Sequence, residues 1–367
     1  MKTAIITTTI NYPSLLIDYA KDCKNIKKKI DIAFIVAGDL KTPKNTKLLC
    51  NQIEKKYKVK TLYLDPKTQS RYLKKFKELK NYLSWNSVQR RNVAFLKALE
   101  LGYEIIITID DDNFIKTRNF VKKHLEAFIK SRNTIINSST NWFNVCELLN
   151  EKNNNIFYHR GFPVSKRGLK SKINYIKCRK KKIGINAGLW LGDPDVDAVT
   201  RLAGKITSTS YKFKKNFLLS KTTNSPFNSQ NTAINYKLAP CYFLSSDVGR
   251  MDDIYASYIT KKVCNHMDYY VSYGEPIVVQ NRNDHNIWKD LDLERPYHEN
   301  LEIFLDVLDK IKVPKKINTV LKTTKHILKR MLIQINKSNN NKIKKSLKKF
   351  IKSYLIWLKT IDRLKMF

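Results

Sequence analysis

Ile105-Ile-Ile-Thr-Ile-Asp110-Asp-Asp-Asn-Phe114 runs five β-favouring residues straight into three consecutive carboxylates. A strand that is apolar at nearly every position belongs inside a parallel sheet covered on both faces, and such sheets bind ligands beyond the carboxyl ends of their strands. Asp110, Asp111 and Asp112 stand at that edge. Each ionised neighbour raises the cost of ionising the next, so the cluster calls for hydrogen-bond donors or a cation. Hard carboxylate oxygens suit Mg²⁺ or Mn²⁺, ions that usually arrive bridging the phosphates of a substrate. An acidic turn or a helix cap is the alternative reading of the same three residues.

The flanking sequence supplies the rest of the sheet. Ala4-Ile5-Ile6 opens a strand that runs into Thr7-Thr8-Thr9; Leu15 to Lys24 reads as a helix. Ile32 to Ala37 is a second buried strand, stopped by Gly38-Asp39, and Val59 to Leu64 is a third. Helical patterns cover Thr46 to Lys56 and Asn86 to Leu101. Strand and helix thus alternate into the Ile105 strand, the signature of an α/β, doubly wound sheet flanked by helices. Beyond Asp112 the pattern is mixed, with helices expected over Val121 to Lys130 and Asp252 to Cys264 and a loop or hinge over Ser338 to Lys345.

With 367 residues and 42% hydrophobic content the chain can bury a large core. Its formal charge of +38 raises the prospect of nucleic acid, but Lys is abundant throughout, and most such runs are solvated faces. Nucleic acid is therefore not the expected partner. The segment 312–367 stands apart from the body, 1–311: it holds 17 Lys or Arg and one acidic residue. There Ile343, Leu347, Phe350, Ile351, Tyr354, Leu358 and Ile361 recur at helical spacing, which predicts a basic amphipathic helix. Such a helix either packs on the body or lies on an anionic membrane. The six cysteines form no C-x-x-C pair, and no run approaches the length of a membrane span; the expectation is a cytoplasmic protein, with peripheral membrane attachment through the tail.

Five further segments carry chemistry. Asn186-Ala-Gly188-Leu-Trp-Leu-Gly192-Asp-Pro194 is either a tight turn or a backbone that approaches a sugar closely. Asp252 and Asp253, after Gly249-Arg-Met, suit a helix N-terminus and also the position of a general base. Arg160-Gly-Phe-Pro-Val-Ser-Lys-Arg167 offers two guanidinium groups for phosphate oxygens, as do Arg90 and Arg91 before the Ile105 strand. His285, in a polar loop, is a surface histidine or a ligand.

In this order the motifs resemble the STELLO-like glycosyltransferases and, more distantly, the plant reversibly glycosylated polypeptides, which act as UDP-arabinopyranose mutases. The segments that carry the likeness are Ile107 to Phe114, Tyr158 to Arg167, Asn186 to Ala198 and Val248 to Ser257, strengthened by Ser225 to Thr232 and Arg282 to Asp290. The resemblance implies a GT-A fold, a nucleoside-diphosphate sugar, UDP-linked by expectation, and Mn²⁺ or Mg²⁺. It implies that Arg160 matches the glycosylated arginine of the relatives and Arg167 the second arginine they need. By the same analogy Asp110, Asp112 and His285 hold the metal, Asp252 or Asp253 is the base, and Thr8, Asp39, Arg90, Arg91, Asp110, Asp111 and Gly188 surround the nucleotide sugar. The basic tail after Val313 matches neither pattern.

The reading these residues support is a metal-dependent glycosyltransferase acting on a glycan or lipid-linked acceptor. A UDP-sugar pyranose–furanose mutase and a non-catalytic scaffold that binds anionic polymers are the alternatives.

Overall fold

The computed structural model describes residues 1–24, 26, 30–282, 286–337 and 341–365, the side chains of 341–343 excepted. In the first half the elements are β1 (Thr3–Thr9), α1 (Leu16–Lys24), β2 (Ile32–Gly38), α2 (Thr46–Tyr57), β3 (Lys60–Leu64), α3 (Pro66–Tyr72), α4 (Lys77–Lys80), α5 (Arg91–Glu100), β4 (Ile105–Thr108), β5 (Asn113–Ile115), α6 (Phe120–Ile129), β6 (Arg132–Ser138) and β7 (Leu149–Glu151). The chain continues with β8 (Ile173–Arg179), β9 (Ile183–Gly192), α7 (Ala198–Ala203), β10 (Ser208–Tyr211), β11 (Phe217–Leu219), β12 (Thr232–Asn235), α8 (Asp252–His266), β13 (Tyr270–Gln280), α9 (Ile287–Lys310), α10 (Val320–Asn336) and α11 (Asn341–Asp362).

One mixed sheet in the order β3-β2-β1-β4-β12-β9-β13-β11-β6-β8 organises the body. β1 to β4 are mutually parallel wherever they pair; β1, β2 and β4 are buried at every position, as the composition of the Ile105 strand predicts, whereas β3 at the sheet edge exposes Lys60 and half-buries Leu62 and Tyr63. β12 is antiparallel to both β4 and β9, and β9 is parallel to β13. It follows that β4, β9 and β13 all point the same way and that their carboxyl ends share one edge with the amino end of β12. Asp110, Asp195, Gln280 and Gln230 lie within three residues of those ends.

Helices cover the sheet, with α5 against β1 and β2, α6 against β9, and α8 against β13. The expected helix over Asn86 to Leu101 begins as a 3-10 turn, Val88–Arg90, capped by the Ser87 side chain, before α5 proper. Of the loop expected over Ser338 to Lys345, Asn341 to Lys345 belong to α11, and 338–340 lie outside the described residues.

The amphipathic tail packs on the body. Leu347, Phe350, Ile351, Tyr354, Trp357, Leu358 and Ile361 are buried; Trp357 stacks on Phe243 with ring centroids 5.2 Å apart. The Tyr354 hydroxyl donates to the Cys241 carbonyl at 2.6 Å, and the Ser353 and Ser245 hydroxyls lie 2.8 Å apart. The apolar face foreseen for a headgroup boundary is therefore covered by residues 241–245, by α10 and, at Phe350, by Tyr255 of α8 and Phe304 of α9. No helix among the described residues is long and apolar enough to cross a membrane.

Candidate active site

The shared strand edge opens into a cleft of about 170 Å³ lined by Asp110, Asp112, Asp195, Asp252 and Asp253 together with Arg91, Arg160, Arg250 and Arg282. Val88, Ser229, Gln230 and Gln280 complete it. Strand ends, the first residue of α5, the first turn of α8, the loop after β7 that carries Arg160 and the 3-10 turns that carry Val88 and Arg250 position these groups. The α8 start is set by Gly249, at φ +53°, which turns the chain so that Asp252 and Asp253 fall at the helix N-terminus, where backbone N–H groups and the dipole favour negative charge.

Asp195 is the centre of the network. Its carboxylate accepts from Arg160 Nε at 3.0 and 3.2 Å, Arg160 Nη2 at 3.1 Å, Arg282 Nη2 at 3.0 Å and Asn228 Nδ2 at 2.8 Å, and it is 1% exposed. Burial alone would push its pKa up, but Arg160 and Arg282 outweigh that and hold it far below the usual carboxylate range. Arg160 also reaches Asp253 at 3.2 Å and the Arg250 carbonyl. Burial opposes its charge; Asp195 and Asp253 overcome that, so its pKa is raised well above the ordinary value. Gly161, at φ +76°, lets this loop lie on α8, because a Cβ there would stand 2.3 Å from Ile254 Cγ2.

Arg91 spans the other wall, donating to Asp110 and to the Ser229 carbonyl, the latter at 3.0 Å. Ser229 in turn donates its backbone N–H to Asp253 at 2.9 Å. Asp252 accepts from Gln89 Nε2 at 2.7 Å and from the Asp253 backbone N–H at 2.8 Å, and neither partner is a cation. Burial and the neighbouring Asp253 therefore push its pKa up to about 7. Asp112 is likewise pushed up to about 7, by burial and then by Asp110 and Asp111, with Arg282 offsetting only part.

That under-compensated carboxylate beside Asp110 fits a divalent cation: hard oxygen donors at a cleft edge, short of positive charge. Among the described residues no group of three or more His, Cys, Asp or Glu forms a metal cage, so Asp110 and Asp112 would share an ion with ligand oxygens or water. His285, expected as a third ligand, lies outside the described residues.

The structure separates the other expected site residues from the cleft. Asp111 turns back to accept from Thr9 Oγ1 and Asn11 Nδ2 at the end of β1. The Thr8 hydroxyl donates to Ala37 O at 2.9 Å, tying β1 to β2. Asp39 accepts the backbone N–H groups of Asn86 at 2.7 Å and Ser87 at 3.0 Å, and so anchors the turn before α5. Arg90 binds Gln69 and the Leu83 carbonyl and lies 3.8 Å over the Trp85 ring, packed between its neighbours. Gly188 admits the Asn231 side chain: a Cβ there would meet Asn231 Nδ2 at 2.3 Å. Arg167 pairs with Asp197, the cap of α7, and lies 5.3 Å over Tyr158.

Asp195 and Arg282 are the cleft residues whose role the sequence reading passed over. Both follow apolar strands, Leu189-Trp-Leu191 and Ile277-Val-Val279, so the strand-end argument that singled out Asp110 applies to them equally.

The family model for reversibly glycosylated polypeptides matches residues 67–361, more than half of the chain, and runs through most of the basic tail that the sequence motifs had left unmatched. UDP-arabinopyranose mutase 3 of Arabidopsis thaliana is 28% identical over 185 residues, 47% of this chain and 46% of that protein. UDP-arabinopyranose mutase 1 of Oryza sativa subsp. japonica is 25% identical over 231 residues, 59% and 57% of the two chains. The chain thus spans about half the length of the curated relatives it matches. Among solved structures, glucosyl-3-phosphoglycerate synthase from Mycobacterium tuberculosis, in complex with Mn²⁺ and UDP-glucose, aligns over 84% of this chain and 80% of that one at 11% identity and a TM-score of 0.45.

Proposed function

The chain belongs to the reversibly glycosylated polypeptide family, and from that premise we propose that it is a GT-A-type, metal-dependent glycosyltransferase that takes a nucleoside-diphosphate sugar, UDP-linked, into the charged cleft. The observation that carries the reading is Asp252: a buried carboxylate lining the cleft, partnered by no cation in its hydrogen bonds, with its proton affinity raised to about 7. A carboxylate so poised accepts the proton of an acceptor hydroxyl as that oxygen bonds to the sugar carbon and the diphosphate departs. Arg91, Arg282 and the strand-edge backbone supply positive potential where the leaving group gains negative charge. Asp110 and Asp112 would hold the Mn²⁺ or Mg²⁺, which when bound stabilises the diphosphate as a Lewis acid.

A second reading, sugar-ring isomerisation, is favoured by the likeness to the plant UDP-arabinopyranose mutases. Attachment of sugar to Arg160 would require that guanidinium to lose its proton and leave Asp195 and Asp253, the two carboxylates that hold it charged. That cost favours transfer with Arg160 as an electrostatic anchor.

Incubation with a labelled UDP-sugar and Mn²⁺ separates the two. Transfer releases UDP in step with acceptor glycosylation; isomerisation returns an altered UDP-sugar without acceptor. With Asp252 as base, activity climbs as pH rises through about 7, because only the deprotonated form accepts the proton. Asp252→Asn is expected to lower kcat by roughly 10²- to 10⁴-fold and abolish that limb; a variant with wild-type rate and profile would remove Asp252 from the mechanism.

A further inference from the structure

A second cavity, of about 520 Å³, lies away from the cleft between α8 and α9. It is within the roughly 300–1,000 Å³ that hold a ligand of drug size, which covers a disaccharide. α8 joins the two sites: its first turn gives Asp252 and Asp253 to the cleft, whereas Tyr258, Lys262 and Asn265 line the cavity. Nine residues of helix put Lys262 roughly 14 Å beyond Asp253, too far for one small ligand to touch both.

The lining is unusual in its balance. Glu302, Asp306 and Asp309 come from α9, spaced so that they share one face, and Lys166, Lys221 and Lys262 come from other segments. The charged groups sum to zero, three against three. A polyanion would meet the carboxylates and a polycation the lysines. A neutral polyol meets neither penalty, since each hydroxyl both donates to carboxylates and accepts from ammonium and amide N–H groups. Trp142 and Tyr258 add aromatic surface to the lining, the mixed character that sugars, with apolar C–H faces and polar rims, require. The ion pairs that now occupy two of these groups, Lys221 with Asp268 and Asp306 with Lys310, are exposed and therefore weak, so both can turn to a ligand.

We propose that this cavity is a second carbohydrate-binding site, for a neutral saccharide of one or two residues, spatially separate from the nucleotide-sugar cleft. It is also wired to the cleft. The Tyr258 hydroxyl donates to the Gly161 carbonyl at 2.9 Å, next to Arg160, and the Trp142 ring packs edge-on to Phe162, with centroids 5.6 Å apart. An occupant therefore bears on the loop that holds Arg160.

Saturation-transfer NMR on the full chain, with lactose, cellobiose, maltose and xylobiose as probes and inorganic phosphate and spermidine as competitors, tests the site. At least one disaccharide should receive saturation that neither competitor displaces. Asp306→Lys, at an exposed position where folding is not at stake, should weaken that binding at least about tenfold, the effect of losing one charged hydrogen bond and the charge balance. Asp112→Asn, in the cleft, should leave it unchanged. No saturation of any of the four sugars, undiminished binding in Asp306→Lys, displacement by phosphate or spermidine, or loss in Asp112→Asn would each overturn the proposal.

Discussion

The cleft and the tail both concentrate charge, in opposite ways. In the cleft the charges are buried and face one another: Arg160 and Asp195 are both nearly inaccessible, and each guanidinium named above meets a carboxylate or a carbonyl. In the tail the apolar side chains are buried, and among the described residues the lysines beside them on α11, Lys348 and Lys349 among them, make no ion pair except that of Lys359 with Glu78. Burying charge costs several kcal/mol per ion unless it is paired, whereas a solvated lysine costs almost nothing to keep. A chain retains the first arrangement only where something requires it, so the buried network marks the site while the larger basic excess of the tail marks a surface.

That contrast can be broken at Asp195. Asp195→Asn leaves Arg160 and Arg282 buried beside a neutral amide, and the expected loss is about 3–5 kcal/mol of stability at pH 7, read from urea unfolding of the full chain. Because burial is outweighed by Arg160 and Arg282 and the folded pKa is depressed, this contribution is complete above the ordinary carboxylate pKa and disappears as pH falls through the depressed one. The mutational penalty should accordingly shrink in strong acid. A loss below about 1 kcal/mol at pH 7 would mean the network is not under the electrostatic constraint described.

On the tail, the apolar side should matter as much and the basic side hardly at all. Trp357→Ala opens a cavity against Phe243 and is expected to cost about 3–5 kcal/mol. It should also lower activity, since residues 241–251 carry the chain into α8. The double change of Lys348 and Lys349 to Gln should shift stability by no more than about 0.5 kcal/mol. A large effect of the lysines, or a negligible one of Trp357, would reverse the assignment of the two faces.

Much of this was legible in the residues. The Ile105 strand, the β1 and β2 runs and the α8 start are stated by local periodicity and by acid placement at a helix N-terminus, and the structure has them where expected. The tail helix was equally legible, but a helical stripe says only that one face is apolar, not what covers it; Phe243 and Cys241 were needed to decide, and they lie 111 and 113 residues from Tyr354. Thr8, Asp39, Arg90 and Gly188 illustrate the same limit. Their residue types suit ligand contact, Thr8 and Asp39 at strand ends, Arg90 in the turn before α5 and Gly188 within β9, yet the competing partners, Ala37, Asn86, Gln69 and Asn231, are set by long-range packing that no local pattern encodes. Asp195 hid for the converse reason: its significance lies in two arginines, Arg160 and Arg282, separated from it by 35 and 87 residues.

The central claim, that Asp112 is kept short of positive charge so that a metal-bound diphosphate completes the cleft, is tested most directly by calorimetric titration of UDP into the full chain with and without Mn²⁺. The account predicts binding that needs the metal in the wild type and is weakened at least about tenfold in Asp112→Asn, with the fold intact, for loss of one charged ligand contact. Equal UDP affinity without Mn²⁺, or undiminished metal-dependent binding in Asp112→Asn, would contradict it.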